Sequence, residues 1–97
     1  MGKSIVQEAQ ECYFCGRVTG LERHHILAGV ANRKLSETYG LWVWLCYDDH
    51  TGPDGAQYNP QKNLALKRAA QLAFQKYYGR ALWMRMFRKN YLDETEG

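Results

Sequence analysis

The most regular alternation of apolar and polar positions lies in the second half of the chain. Leu66, Ala70, Ala73 and Tyr77 recur at the spacing of one helix face. Asn59 suits an N-cap and Pro60 suits the first helical position, so a helix is predicted from Pro60 to Tyr78, with Gly79 as its stop. Lys67, Gln71 and Gln75 fall on another face of it. A second helix, over about residues 80–90, turns Leu82, Trp83, Met86 and Phe87 inward and Arg85, Arg88 and Lys89 outward. Upstream, Leu41-Trp42-Val43-Trp44-Leu45 is β-branched and aromatic and reads as a strand. Trp42 and Trp44 share one face of it and are expected in the core rather than in an exposed docking patch. A shorter strand is predicted from Leu21 to Ile26. Residues 28–40 read as a long loop with at most one helical turn, residues 51–55 as a turn cluster, and residues 1–10 as a polar lead-in.

Charge changes this picture. Residues 1–54 hold five basic and seven acidic side chains, whereas residues 55–92 hold eight basic ones and no acid. Asp93, Glu94 and Glu96 then close the chain, leaving a net charge of +3. A long basic stretch without one carboxylate attracts polyanions. Nucleic acid is therefore the expected partner, with Arg33, Lys34, Lys62, Lys67, Arg68, Lys76, Arg85, Arg88 and Lys89 as candidate contacts. A chain of 97 residues is one domain by size, and domains this small often lean on a metal or a partner. No apolar run approaches the roughly 20 residues that span a bilayer. The N-terminus lacks the apolar stretch of a signal peptide, and Val6 stands where a myristoylation start at Met1-Gly2 requires Ser or Thr. The expectation is a soluble intracellular protein with no membrane partner. Three cysteines, an odd count, fit a reducing compartment.

Those cysteines and the three histidines are not scattered. They form Cys12-x2-Cys15, then His24-His25-Ile26, then Cys46-x3-His50. Cys-x2-Cys followed by Gly16 puts two thiolates on one turn, where both can reach a structural Zn²⁺, and Cys46 supplies a third. Asp49 stands at the fourth position; His50 could substitute, and Asp48 is a lesser alternative. Adjacent histidines at a strand end project to opposite sides. His24 and His25 therefore suit two jobs rather than one chelate: one ligates, the other works on water or substrate.

This order of motifs, together with the strand ending in Leu45-Cys46, resembles the HNH endonuclease superfamily, and most of all the small phage and prophage HNH proteins with a zinc knuckle. The resemblance covers about residues 12–60, and the stretches Ala31 to Glu37, Tyr39 to Leu41 and Arg88 to Leu92 are similar to the same group. It implies an α+β fold: a zinc-stabilised ββα-metal core followed by two basic C-terminal helices. Residues 1–97 would form the single domain, with the knuckle and core over 10–58 and the basic helical extension over 59–92. It implies His25 as general base and His24 and His50 as ligands of a catalytic divalent metal. Cys12, Cys15, Cys46 and Asp49 would hold the structural zinc. Many members have Cys or His where this chain has Asp49. The middle Asn of the family name has no counterpart ahead of Leu45-Cys46, where Leu41 stands; Asn59, or else Asn32, takes a related role near the metal. The cation would be Mg²⁺ or Mn²⁺, with Ni²⁺ or Zn²⁺ able to replace it. The substrate would be DNA, held mainly by its backbone. One copy would nick, and a homodimer would cut both strands. The setting would be the cytoplasm of a bacterial host, with the gene carried by a phage or prophage.

Two other functions fit the same residues. One is a non-catalytic zinc module that binds nucleic acid, which would show salt-sensitive DNA binding without cleavage. The other is a nuclease-derived inhibitor or adaptor that binds protein, which exposure of both Trp42 and Trp44 would favour. Other chemistries are excluded. Gly2-Lys3-Ser4 has no strand leading into it, so it is no P-loop; the zincin, Gly-x-Ser-x-Gly and zinc deaminase signatures are missing; and the acids around Asp48 and Asp54 lack calcium-loop spacing.

Overall fold

A two-stranded antiparallel sheet carries much of the candidate chemistry. The computed structural model describes residues 3–92. The acidic positions Asp93, Glu94 and Glu96 and the Met1-Gly2 start lie outside the described residues. Strand β1 (Leu21–His25) pairs with β2 (Trp42–Cys46) in a register that sets Glu22 opposite Leu45, His24 opposite Val43 and His25 opposite Trp42. Opposed residues of an antiparallel pair share a face. His24 and Glu22 therefore stand on the side of Val43 and Leu45, and His25 and Arg23 on the side of Trp42 and Trp44. The expected divergence of the two histidines follows from this pleat.

The segment between the strands is not the loop that its sequence suggests. Residues Val30–Tyr39 form helix α1. Ala31, Arg33, Lys34, Leu35 and Glu37 are ordinary helix formers, and Gly40 ends the helix with φ 73, a left-handed conformation. Its less exposed face is Asn32, Leu35, Ser36 and Tyr39, mostly polar, so no apolar period announces it. Gly40 is also required by a crossing: a Cβ there would lie 2.2 Å from the Lys3 carbonyl oxygen. The N-terminal segment passes at this point, with Ile5 N–H donating to Gly40 O at 2.9 Å. Further along, Gln7 Oε1 accepts the Trp44 N–H at 2.9 Å, so the lead-in blocks the second edge of β2.

After β2 come a single turn, α2 (Tyr47–His50), and then α3 (Pro60–Tyr78) and α4 (Arg80–Phe87). The predicted bounds of α3 hold. Asn59 Oδ1 accepts from the N–H groups of Gln61 and Lys62 at 2.9 and 3.2 Å, a cap worth about 1 kcal/mol. The inward face of α3 differs from the expected stripe. Leu66, Ala70 and Phe74 are buried together with Gln71, while Tyr77 is 61% exposed and Ala73 only partly covered. At 100° per residue the buried arc is turned by about 55° from the predicted one, because α4 folds back over that sector after Gly79. Helix α4 stops at Phe87, short of the expected residue 90, and Arg88 leaves it with φ 58.

The core joins these elements. Leu41, Val43 and Leu45 meet Ile26, Leu66, Phe74 and Trp83, and Cys12 and Cys46 are buried in the same cluster. The Phe74 ring packs on Tyr39, Tyr78, Trp83 and Phe87. Trp42 is 5% exposed and stacks edge-on against the partly covered Trp44, with the Arg23 guanidinium 4.0 Å from its ring centre. With Trp42 buried and Trp44 only partly exposed, the two do not form the exposed patch that would favour a protein-binding adaptor. Among the described residues, no helix is long and apolar enough to cross a membrane. The architecture is a small α+β fold with a two-stranded sheet and four helices among the described residues.

Candidate metal centres and nucleic-acid interface

The knuckle is a closed turn. Gly16 N–H donates to Cys12 O at 2.9 Å, and Gly16 has φ 80, where a side chain would be strained. Tyr13 N–H donates to Trp44 O at 2.9 Å and docks the turn beside the end of β2. That contact brings Cys12 and Cys15 to Cys46, the last residue of β2. Helix α2 then carries Asp49 back to the same point. One ligand atom from each of Cys12, Cys15, Cys46 and Asp49 lies within 4.8 Å of the others. Two sulfurs on a tetrahedral Zn²⁺, each at about 2.3 Å, sit about 3.8 Å apart; Cys15 Sγ and Cys46 Sγ are 3.7 Å apart. Asp49 Oδ2 lies 3.1 Å from Cys12 Sγ and 3.4 Å from Cys46 Sγ. Three cysteines and an aspartate are thus arranged compatibly with a zinc site. Asp49 is the fourth member of this group, not His50 or Asp48, because His50 leaves the short helix on another side.

The electrostatics of the group favour a cation. Arg17 N–H favours the Cys15 thiolate, yet the crowding of Cys12, Cys46 and Asp49 overrides it and pushes the thiol up to about 11. Burial raises Cys12, but N–H groups of Cys46, Cys15 and Phe14 pointing at its sulfur bring it below the ordinary thiol value. Burial also raises Asp49, and Lys62 with the three thiols overcomes this and holds the carboxyl at about 2. Lys62 Nζ donates to Asp49 Oδ1 at 3.0 Å and to the Asp54 carbonyl at 2.9 Å. The ammonium of Lys62, an expected nucleic-acid contact, is thus paired with Asp49 beside the three cysteines.

The second centre lies on the other side of α2. His24 and His50 meet with ring centroids 5.1 Å apart. His24 Nε2 is buried and has no hydrogen-bond partner among the described residues. Burial pushes His24 down to about 4, with the charges of His50, His25 and Lys67 adding, so its imidazole is neutral near pH 7. His50 Nδ1 is 2.6 Å from Glu22 Oε1. A carboxylate on one ring nitrogen fixes the tautomer and leaves the other nitrogen to ligate. His25, across the sheet, is hydrogen-bonded through Nε2 to Glu37 Oε2, and Arg23 Nη1 donates to Glu37 Oε1 at 3.3 Å. All three histidines line one cavity of about 630 Å³, together with Arg33, Asn63 and Lys67.

Asn59 does not join them. Its oxygen caps α3 and its amide donates to Asp54 Oδ1 at 3.2 Å, so it does not line the cavity. Asn63, one turn further along α3, lines it instead. The sequence reading also passed over Glu22 and Glu37. Their roles depend on which histidine each reaches across the sheet or from α1, which spacing along the chain does not reveal. Of the expected basic contacts, Arg33 and Lys67 line the histidine cavity, and Lys67, Arg68 and Lys89 line a neighbouring groove. Lys34, Lys76, Arg85 and Arg88 line neither. No protein-family model, curated protein or solved structure matches the chain, so its own geometry has to carry the functional reading.

Proposed function

We propose that the protein is a metal-dependent DNA endonuclease of the HNH kind, with a ββα-metal core built from β1, β2 and α2. One observation carries the reading: His24 Nε2 is buried and unpartnered among the described residues, and its ring lies 5.1 Å from that of His50 at a cavity that His25 also lines. An orphaned buried nitrogen is costly, and a divalent cation shared with His50 would satisfy it. The donors fit such an ion. Two imidazoles suit Mn²⁺, Ni²⁺ or Zn²⁺ better than Mg²⁺, which prefers oxygen. When bound, the cation supplies Lewis-acid stabilisation of charge on the phosphate and the departing oxygen.

The chain's own residues do the remaining work. His25 is the general base. Glu37 accepts from its Nε2–H, which leaves Nδ1 to take a proton from the attacking water. Arg23 holds Glu37 in place for this task. Glu22 orients His50, and Arg33 and Lys67 attract the phosphodiester into the cavity. Water attack at phosphorus leaves a 5′-phosphate and a 3′-hydroxyl. The zinc group at Cys12, Cys15, Cys46 and Asp49 is structural and fixes the ends of β2 and α2 that carry the site. A non-catalytic zinc module would share the zinc group and the basic residues, but it gives no reason for the orphaned His24 nitrogen. The test is incubation of supercoiled plasmid with Mg²⁺, with Mn²⁺ and with EDTA, followed by end-group analysis. Metal-dependent nicking with 5′-phosphate ends is expected. An intact plasmid in every metal, with folded and zinc-loaded protein, would overturn the reading.

A further inference from the structure

Gln71 is fully buried in α3, and the proposed catalysis gives it no task. Its Nε2 donates to Gln75 Oε1 at 2.8 Å and to Asn90 Oδ1 at 2.9 Å, and its Oε1 accepts the Tyr91 N–H at 2.7 Å. Arg68 Nε donates to the Tyr91 carbonyl at 2.9 Å, and Trp83 Nε1 to the Lys89 carbonyl at 2.8 Å. Arg88, at φ 58, turns the chain so that residues 89–92 run back beside α3. This strap belongs to no helix or strand, yet the buried Gln71 and Trp83 and the exposed Arg68 hold its backbone in one place. A buried amide that spends its bonds on an irregular segment pre-organises that segment.

The strap and α3 flank an open groove of about 480 Å³. Lys67, Arg68 and Lys89 line it, and among the described residues no acidic one does. The ammonium groups of Lys67 and Lys89 sit 5.5 and 5.6 Å from the centre of the Tyr91 ring. Asn63 and Lys67 line both this groove and the histidine cavity, so the two are continuous. Every charged side chain among the described lining residues of the two is a cation or a histidine, set among apolar and neutral ones.

We propose that the groove is a second nucleic-acid subsite, which holds the sugar–phosphate backbone of a single DNA strand beyond the scissile bond. The identity of the strand rests on the nuclease reading. The composition selects one strand: cations beside an aromatic ring suit a single backbone, whose unpaired bases can stack on Tyr91, whereas a duplex keeps its bases stacked on one another. Lys89 contacts a phosphate there, and the Tyr91 ring forms an apolar floor between the charges.

The test is binding, measured without added Mg²⁺ or Mn²⁺ so that no cleavage intervenes. Fluorescence anisotropy is read for the zinc-loaded protein, its Lys89→Gln variant and a Lys3→Gln charge control, on a 16-nucleotide single strand and on the corresponding duplex. Loss of one single-strand phosphate contact lowers the log–log salt slope by about 0.7, which is roughly eightfold in affinity at 0.05 M salt. That change is expected for Lys89→Gln on the single strand, with less than about twofold change on the duplex and for Lys3→Gln. Equal losses for the two variants, or equal losses on single strand and duplex, would overturn the subsite. A plasmid that survives every metal sinks the nuclease reading without touching this result.

Discussion

Acidification should destabilise the protein through His24, by an amount that the burial of its ring sets. Burial, reinforced by the charges of His50, His25 and Lys67, lowers this histidine from 6.5 to about 4. The unfolded chain therefore binds a proton between those two values that the folded protein refuses. Stability is fully present above pH 6.5, falls as the pH drops through that window, and levels off below about 4. The whole effect is worth up to about 3 kcal/mol, of which about 1 kcal/mol is lost by pH 5.5 and about 2 kcal/mol by pH 5. For a domain of this size, 1 kcal/mol corresponds to about 4–8 °C in Tm. The assay is thermal or urea unfolding between pH 7.5 and 5.5, on protein carrying one equivalent of zinc and no free Zn²⁺, Mg²⁺ or Mn²⁺, with the wild type beside His24→Gln. Both proteins share every other titrating group, including the thiols. The wild type should lose about 1 kcal/mol more than the variant over that range. Parallel pH profiles would refute the argument, because His24 would then be solvated or charged in the folded state.

Further consequences follow from the same contacts. Lys62→Met keeps the aliphatic stem but removes the charge beside Asp49; zinc affinity, measured by competition with a chromogenic chelator, should fall about 10- to 100-fold, as for other outer-shell partners of a metal ligand. A change under about twofold would mean that Lys62 does not support the site. Gly55→Ala places a Cβ within 2.7 Å of the His50 carbonyl oxygen and 2.9 Å of the Asp48 one. It should shift α2 and lower both Tm and Mn²⁺ affinity by calorimetry, whereas Gly20→Ala, with no atom within 4 Å of its Cβ, should leave Mn²⁺ affinity unchanged. Phe74→Ala removes the ring that Tyr39, Tyr78, Trp83 and Phe87 enclose; urea unfolding should show a loss of about 3–5 kcal/mol.

What the sequence revealed follows physical lines. Helix α3 was legible because its cap, its proline and its stop are local signals, and Asn59, Pro60 and Gly79 act where they stand. The four-residue Cys/Asp group was legible because Cys-x2-Cys constrains a turn and Cys46-x2-Asp49 spans one strand end and one helical turn. Helix α1 was hidden because its inner face is Asn32, Ser36 and Tyr39 with a single leucine. Gln71 and Tyr77 were exchanged because the sequence does not say from which side α4 packs. Asn59 resembled a ligand by type, but a cap consumes its oxygen. Glu22 and Glu37 were silent because a carboxylate gains meaning only from the histidine it reaches through the fold, and the Lys62–Asp49 pair was silent because its two members lie on different elements.

The most direct measurement of the central claim is single-turnover cleavage of a labelled DNA by wild type and His25→Ala, at matched zinc content and equal Mn²⁺. The account predicts metal-dependent cleavage by the wild type, a loss of at least about 100-fold in His25→Ala, and unchanged DNA affinity. Equal rates from the two proteins, or cleavage that persists in EDTA, would contradict it.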